Sequence, residues 1–341
     1  QKCGARPSVD TENPDLRINI HIENEKVTLS FDSSGDSLHK RGYRKAADKA
    51  PMNEVLAAGL IKLTGWKGDK NFVDCMCGSA TIPIEAAMAA MNVPAGYFRE
   101  KYGFMTWHDF DEKLSKEVRT AADEDIRDFD YEIIASDHSA KAVQIAQSNI
   151  KGAHLSHDIT LSQQDMFEMT PPEGPGILLI NPPYGERLEE KDIVNLYKNI
   201  GNTLKRNFKG YEAWVISSNK EVLKLIGLKP SKKIEVYNGS LDCRFVKFDI
   251  FDGSYKDMKI KKIELQKIAC NVRMGIIEGT HAAKSGHPGG SLSIADVLTY
   301  LYFNKCNIVL SIYLIAYGVW RMFIEFFRGD AARVENLALN M

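Results

Sequence analysis

Gly176-Ile177-Leu178-Leu179-Ile180-Asn181-Pro182-Pro183-Tyr184 sets an unbroken apolar run against an abrupt stop. Four aliphatic residues in a row, without alternation, read as a strand buried on both faces of a parallel sheet. The two prolines end it, because neither can donate to a ladder. A side-chain amide, two rigid carbonyls and an aromatic ring are left at the carboxyl end. In an open α/β sheet, ligands bind at that edge. Such a group suits gripping the exocyclic amine of a flat base and stacking on its ring.

The stretches upstream support that strand. Asn71–Asp74 reads as a short strand, Cys75-Met76-Cys77-Gly78-Ser79-Ala80-Thr81 as a small-residue turn, and Ile82–Met91 as a helix rich in alanine and methionine. A strand, a turn and a helix start leave N–H groups pointing out of the helix end, a site for an anion or a carboxylate. The plainer reading is a tight βα turn alone. Tyr131–Ser136 is the second strand and ends at Asp137, with a helix over Ala140–Ile150 behind it. An acid there is placed to accept hydrogen bonds from ribose hydroxyls. Ile159–Gln163 ends near Asp165, within reach of an adenine amine if the strands order normally. The competing role for both acids is capping the next segment.

Downstream, Val194–Lys205 is a helix and Ala213–Ser217 a fifth strand, and Ile234–Tyr237 and Arg244–Phe251 form a closing hairpin around Asn238-Gly239. The expected architecture is α/β: a seven-stranded, doubly wound, Rossmann-like sheet with a terminal antiparallel hairpin.

At the N-terminal side, Leu16–Ile22 and Val27–Asp32 alternate across a short polar turn and predict a β-hairpin. The dense basic stretch Ser37-Leu38-His39-Lys40-Arg41-Gly42-Tyr43-Arg44-Lys45 follows. It reads as a solvated linker or as a contact with a phosphate backbone, and the later motifs favour the second. Pro51–Leu63 predicts a helix with Val55, Leu56, Leu60 and Leu63 on one face, ended by Gly65. Residues 95–130 are an insertion, aromatic to Phe110 and then a charged helix. Its aromatics are expected to pack the insertion down.

The chain has 341 residues, 44% apolar and 26% charged, with a net charge of −1. That is ordinary for a soluble globular protein, and no global basic field advertises nucleic acid. Six cysteines, with Cys75 and Cys77 one residue apart, form neither a disulfide framework nor zinc spacing. Free thiols in a reducing cytoplasm are expected, and no metal. The chain opens at Gln1, with neither methionine nor signal peptide, and reads as a fragment.

Taken in order, Asp74 to Thr81, Asp137, Asp165 and Asn181-Pro182-Pro183-Tyr184-Gly185-Glu186-Arg187-Leu188 resemble the class I S-adenosylmethionine-dependent methyltransferases. More narrowly they resemble the THUMP-containing ribosomal RNA guanine-N2 methyltransferases, over about residues 14–257. The resemblance implies a THUMP remnant over 1–36 and a methyltransferase domain over 37–257. It implies S-adenosylmethionine as cofactor. The turn Gly78, Ser79 and Thr81, with Asp74 and Cys77 beside it, would hold the methionine part, Asp137 the ribose and Asp165 the adenine. Asn181 and the carbonyl of Pro182 would accept from the guanine 2-amino group, and Tyr184 would stack on the base. Lys40, Arg41, Tyr43, Arg44 and Arg187 would contact RNA, and ribosomal RNA, of the large subunit, would be the partner. The family has Pro where Cys75 stands and Gly where Ala80 stands, so a Cβ at position 80 is expected to crowd the cofactor. An adenine-N6 methyltransferase, a non-catalytic RNA-binding remnant and a membrane-tethered protein stay open as alternatives.

The last part changes character. Residues 258–308, with Lys284-Ser285-Gly286-His287-Pro288-Gly289-Gly290, resemble a transketolase N-terminus, and a helical appendage is expected there. Residues 309–341 begin with an apolar run resembling the last membrane helix of prolipoprotein diacylglyceryl transferases, with membrane contact not favoured. Three unrelated partial resemblances in series point to a spliced gene or an assembly artefact.

Overall fold

The computed structural model describes residues 9–12, 14–47, 51–183 and 190–251, and isolated helical positions from Ile263 to Met274. The chain divides into two units, 1–252 and 253–341. The transketolase-like and membrane-helix-like readings fall in the second unit, outside the described residues apart from the helical Ile263, Gln266, Lys267, Cys270 and Met274. Among the described residues, no helix is long and apolar enough to cross a membrane.

The first unit begins with the hairpin β1 (Ile18–Glu23) and β2 (Lys26–Phe31), antiparallel with Ile18 opposite Phe31. The alternation is real, yet every residue of both strands is exposed. Helix α1 (Glu54–Thr64) starts behind Asn53, whose Oδ1 accepts from the Val55 and Leu56 N–H groups, and ends at Gly65 with φ 81°. It begins three residues later than expected, and its buried stripe is Glu54, Ala57, Leu60 and Ile61. Val55 and Leu63 are exposed, correcting the expected face. An acid occupies the stripe because Arg44 meets it there, 2.8 Å away.

Seven strands form the main sheet: β3 (Asn71–Asp74), β4 (Ile133–Asp137), β5 (Ile159–Gln163), β6 (Gly176–Ile180), β7 (Tyr211–Ser217), β8 (Lys232–Asn238) and β9 (Leu241–Asp249). Their order is β5-β4-β3-β6-β7-β9-β8. The first five in sequence are parallel, and β9 runs antiparallel between β7 and β8. Helices α2 (Thr81–Ala90), α3 (Glu112–Glu124), α4 (Ala140–Gly152) and α5 (Glu190–Asn207) lie between strands. The chain moves from β3 outward to β5, then returns to place β6 on the other side of β3. That reversal opens a crevice at the carboxyl ends of β3 and β6, the edge where ligands bind in such sheets.

The strands alternate between two cores. Phe72, Ile177, Leu179, Trp214 and Ile216 join α1, α2 and α4 on one face, and Val73, Leu178, Ile180, Ala213 and Val215 join α5 on the other. All five residues of β6 are buried. Each fully buried Leu or Ile contributes roughly 1.5–3 kcal/mol, so β6 is anchored from both sides and its end is rigid.

The insertion packs as its composition predicts. Tyr102 stacks on Phe104 with centroids 5.3 Å apart, and Trp107 meets Phe31 of the hairpin edge-on at 6.4 Å. Arg99 is buried, and its two terminal nitrogens donate to the carbonyls of Ser34, Asp36, Ser37 and Lys40 at 2.9–3.2 Å. One guanidinium thus ties the insertion to the segment after the hairpin.

Ala80 stands at φ 61° and is fully buried. Its side chain belongs to the core beneath α2 and does not line the crevice, so the expected crowding of the cofactor is corrected. The departure from glycine is felt in the backbone instead, since a left-handed conformation costs an L-residue roughly 1–2 kcal/mol. Ala80→Gly is therefore expected to stabilise the apo chain by up to about 1 kcal/mol, a rise of roughly 2–4 °C in a thermal melt.

Candidate active site

The crevice is a cavity of about 670 Å³ lined by Asp74, Cys77, Gly78, Ser79, Thr81, Asp137, Asp165, Asn181 and Pro183 among others. A larger cavity of about 830 Å³ lies on the insertion, between its aromatics and α3, and contains none of these strand-end groups. Chemistry, not volume, picks the first.

Each acid sits at a strand end. Asp74 closes β3 and is almost wholly buried; Oδ1 accepts from the Met76 N–H at 3.1 Å, and Oδ2 is buried without a partner among the described residues. Burial pushes its carboxyl up to about 8, and nearby Asp137 adds to the rise. A carboxyl still neutral in the fold stabilises it fully below the unfolded value near 4, and that contribution is lost as pH rises through about 8. Asp74→Asn keeps a neutral group at every pH. The apo thermal midpoint of the parent is expected to fall between pH 4 and 8, on the order of several degrees more than that of the variant.

Asp137 closes β4 and bridges two turns: Oδ2 accepts from the Gly78 N–H at 3.0 Å and Oδ1 from the Ser139 N–H at 2.9 Å. Asp165 follows β5 and does both jobs weighed for it. It caps a short 3₁₀ turn, accepting from the Phe167 N–H at 2.9 Å, and it lines the cavity. Cys77 is a buried neutral thiol: burial, then Asp74 and Asp137, push its pKa well up, so it is no nucleophile. Gly78, at φ 54°, has no heavy atom within 4 Å of where a Cβ would stand, leaving its backbone open to a ligand.

Asn181 follows β6, with Oδ1 buried and without a partner among the described residues. An unpaired buried amide oxygen costs roughly 1–3 kcal/mol, which an incoming N–H donor would recover. Pro182 is buried and Pro183 lines the cavity. Tyr184 and Arg187 lie outside the described residues. Among the described residues, no cluster of three metal-ligating side chains exists.

The basic linker is where sequence reading and structure part. Lys40 is exposed, 3.4 Å from Asp36. Arg41 and Tyr43 are buried and both meet Glu85 of α2, at 3.2 and 3.1 Å. Burial raises the Glu85 carboxyl, and Arg41 pulls it back. Arg44 turns inward to Glu54, Ser79 and Thr81. The expected phosphate contacts by Arg41, Tyr43 and Arg44 are corrected, because their polar atoms are committed to buried acids and hydroxyls.

Sequence reasoning missed the far wall. Asp192, Asn195, Leu196 and Asn199 of α5 line the cavity. Spaced at three and four residues, they form a stripe flanking the buried Ile193, Tyr197, Ile200 and Leu204, and that helical period was the available signal.

S-adenosylmethionine fits this donor set. The unpartnered Asp74 oxygen and the open Gly78 backbone suit an aminoacyl end, and Asp137 and Asp165, at adjacent strand ends, suit a ribose and a base.

Sheet order, crevice and strand-end acids together define a Rossmann-like methyltransferase fold. The family model of the RMKL-like methyltransferase domain matches residues 41–247, and a THUMP domain model matches residues 1–32. The chain belongs to the RMKL-like methyltransferase domain family. It is 38% identical over 259 residues to the ribosomal RNA large subunit methyltransferase K/L of Methylococcus capsulatus, covering 73% of this chain and 35% of that one. It is also 38% identical over 268 residues to the enzyme of the same name from Syntrophotalea carbinolica, covering 75% of this chain and 37% of the relative. The chain thus spans little more than a third of these relatives. Among solved structures, SMU.472, a candidate methyltransferase with S-adenosylhomocysteine bound, matches with TM-score 0.66 and 34% identity, covering 71% of this chain and 64% of that one. A predicted N6-adenine-specific DNA methylase from Listeria monocytogenes matches with TM-score 0.63 and 32% identity, covering 69% and 61%.

Proposed function

We propose that this chain carries out S-adenosylmethionine-dependent methylation of ribosomal RNA, at the exocyclic N2 of a guanine in the large subunit. The observation that carries the reading is the buried, unpartnered Asn181 Oδ1 at the end of β6, beside the strand whose turn suits the cofactor. S-adenosylmethionine supplies an electrophilic methyl on a sulfonium. Asn181 Oδ1 and the Pro182 carbonyl accept hydrogen bonds from the target amine. A guanine amine is a poor nucleophile because its lone pair is delocalised into the ring. Two acceptors favour a pyramidal nitrogen with its lone pair aimed at the methyl carbon. On this reading the role of stacking on the base falls to Tyr184, as the family resemblance implies. The rest is positioning, worth roughly 7–11 kcal/mol at its extreme. No strong base is needed beforehand, since the N–H becomes acidic once the methyl is on. The target base leaves its stack to enter the cavity.

The THUMP match at residues 1–32 and the names of the ribosomal relatives support RNA over DNA. The Listeria neighbour, named for adenine-N6 chemistry, keeps one rival concrete, because the same acceptors serve any planar amine. Large-subunit RNA lacking the modification, incubated with the chain and tritiated S-adenosylmethionine and then digested to nucleosides, separates them. N2-methylguanosine is the expected product, and N6-methyladenosine would sink the guanine reading.

A further inference from the structure

We propose that Arg44 is a positioning residue for the carboxylate end of the cofactor, acting through the Ser79 and Thr81 hydroxyls. The proposal rests on the reading that S-adenosylmethionine occupies the crevice.

Arg44 does not line the cavity; it stands behind its wall. Nη1 donates to Ser79 Oγ at 3.2 Å, and Nη2 to Thr81 Oγ1 at 3.0 Å and to the Met52 carbonyl at 3.2 Å. Nε donates to Glu54 Oε1 at 2.8 Å. Ser79, Thr81 and Met52 all line the cavity, so one rigid fork fixes three points of its wall.

A guanidinium has donors only. Both hydroxyl oxygens therefore accept from Arg44, and their hydrogens must point elsewhere. Ser79 Oγ and Thr81 Oγ1 lie 3.1 Å apart, so one hydroxyl donates to the other. At least one O–H remains, on residues that face the crevice, and it can only be a donor. An acceptor with two oxygens beside it matches a carboxylate.

The backbone adds to this. Thr81 opens α2, and the cap residue, Ala80, gives no side-chain hydrogen bond to the helix end. The free N–H groups of that first turn have the same polarity as the oriented hydroxyl.

Glu54, itself buried, neutralises the charge of the part-buried Arg44. Arg44 therefore works by orientation rather than by a bare field. Lysine, a point donor without the planar fork, cannot hold Glu54, Ser79, Thr81 and Met52 at once.

The test compares two ligands by calorimetry on the full chain: S-adenosylhomocysteine, and 5′-methylthioadenosine, which keeps the nucleoside and thioether but lacks the aminoacyl end. Arg44→Lys is expected to weaken S-adenosylhomocysteine about tenfold or more, the scale of a lost hydrogen bond to a charged group. Affinity for 5′-methylthioadenosine should stay within about twofold on the same scale. Ser79→Ala/Thr81→Val, which keeps Arg44 and Glu54 together, should lose the same preference, and adding Arg44→Lys to it should cost nothing further. Equal losses for both ligands, or an unchanged preference in the double variant, would overturn the proposal. A parent chain that binds neither ligand would overturn the methyltransferase reading beneath it as well.

Discussion

Asn181→Ala is expected to slow the proposed methyl transfer by about 10²–10³-fold, the range seen when one preorganised electrostatic partner of a transition state is removed. Affinity for S-adenosylhomocysteine should change little, because the groups suited to the cofactor lie at or just after the ends of β3, β4 and β5, while Asn181 follows β6. The alanine variant also loses an unpaired buried oxygen, so the free chain should be as stable as the parent or slightly more so. That combination, lower rate with undiminished stability, marks a group held in place for the reaction rather than for the fold. Single-turnover rates on modification-free RNA, with calorimetry alongside, measure both halves. Parent-like transfer by Asn181→Ala would remove the central support for the proposed mechanism.

Asp137→Ala is expected to fail earlier, at cofactor binding, by about 100-fold or more. The carboxylate accepts from the Gly78 N–H across the crevice and from Ser139 at the start of α4. Its removal withdraws the expected ribose acceptor and also frees the Gly78 turn. Hydrogen bonds to charged groups contribute roughly 1.5–3 kcal/mol each, so two lost together give an effect of that size. Asp137→Asn keeps one acceptor oxygen and should fall between variant and parent. The apo melting point should also drop, by roughly 2–6 °C, since two part-buried N–H groups, of Gly78 and Ser139, lose their acceptor. Calorimetry with S-adenosylhomocysteine reads the first effect; binding within threefold of the parent would show that Asp137 serves the turn alone.

The strand-end residues were legible in the sequence for a definite reason. Burial on both faces gives β6 a continuous apolar run whose break marks Asn181, and the shorter stretches Phe72-Val73 and Ile133-Ile134-Ala135 lead to Asp74 and, past Ser136, to Asp137. Chain order then places them, because few topologies of such a sheet are allowed. The basic linker was misread for an equally definite reason. Local charge density does not reveal partners 10 to 44 residues away, and Glu54 and Glu85 look like ordinary surface acids of their helices. The folded chain buries both and turns Arg41, Tyr43 and Arg44 onto them. The α5 wall was missed because the helix was read from Val194, which leaves out Asp192, and no face was assigned to it. The face of α1 was misjudged because apolar character was counted at Val55 and Leu63, while the true stripe tolerates a paired acid.

The placement of β9 between β7 and β8 has a consequence for how the chain is made. On the ribosome, β7 emerges with β6 already beside it, but its other edge waits for residues 241–249. Until then Trp214 lacks Phe245, the ring that later stacks on it at 4.6 Å, and the open edge of β7 is a template for any passing strand. The sheet is thus closed from its last segment inward. A nascent chain stalled before Leu241 carries every residue lining the cofactor crevice and yet leaves one edge of β7 uncovered, so it is the arrival of β9, not completion of the site, that is expected to guard this sheet against strand-to-strand association.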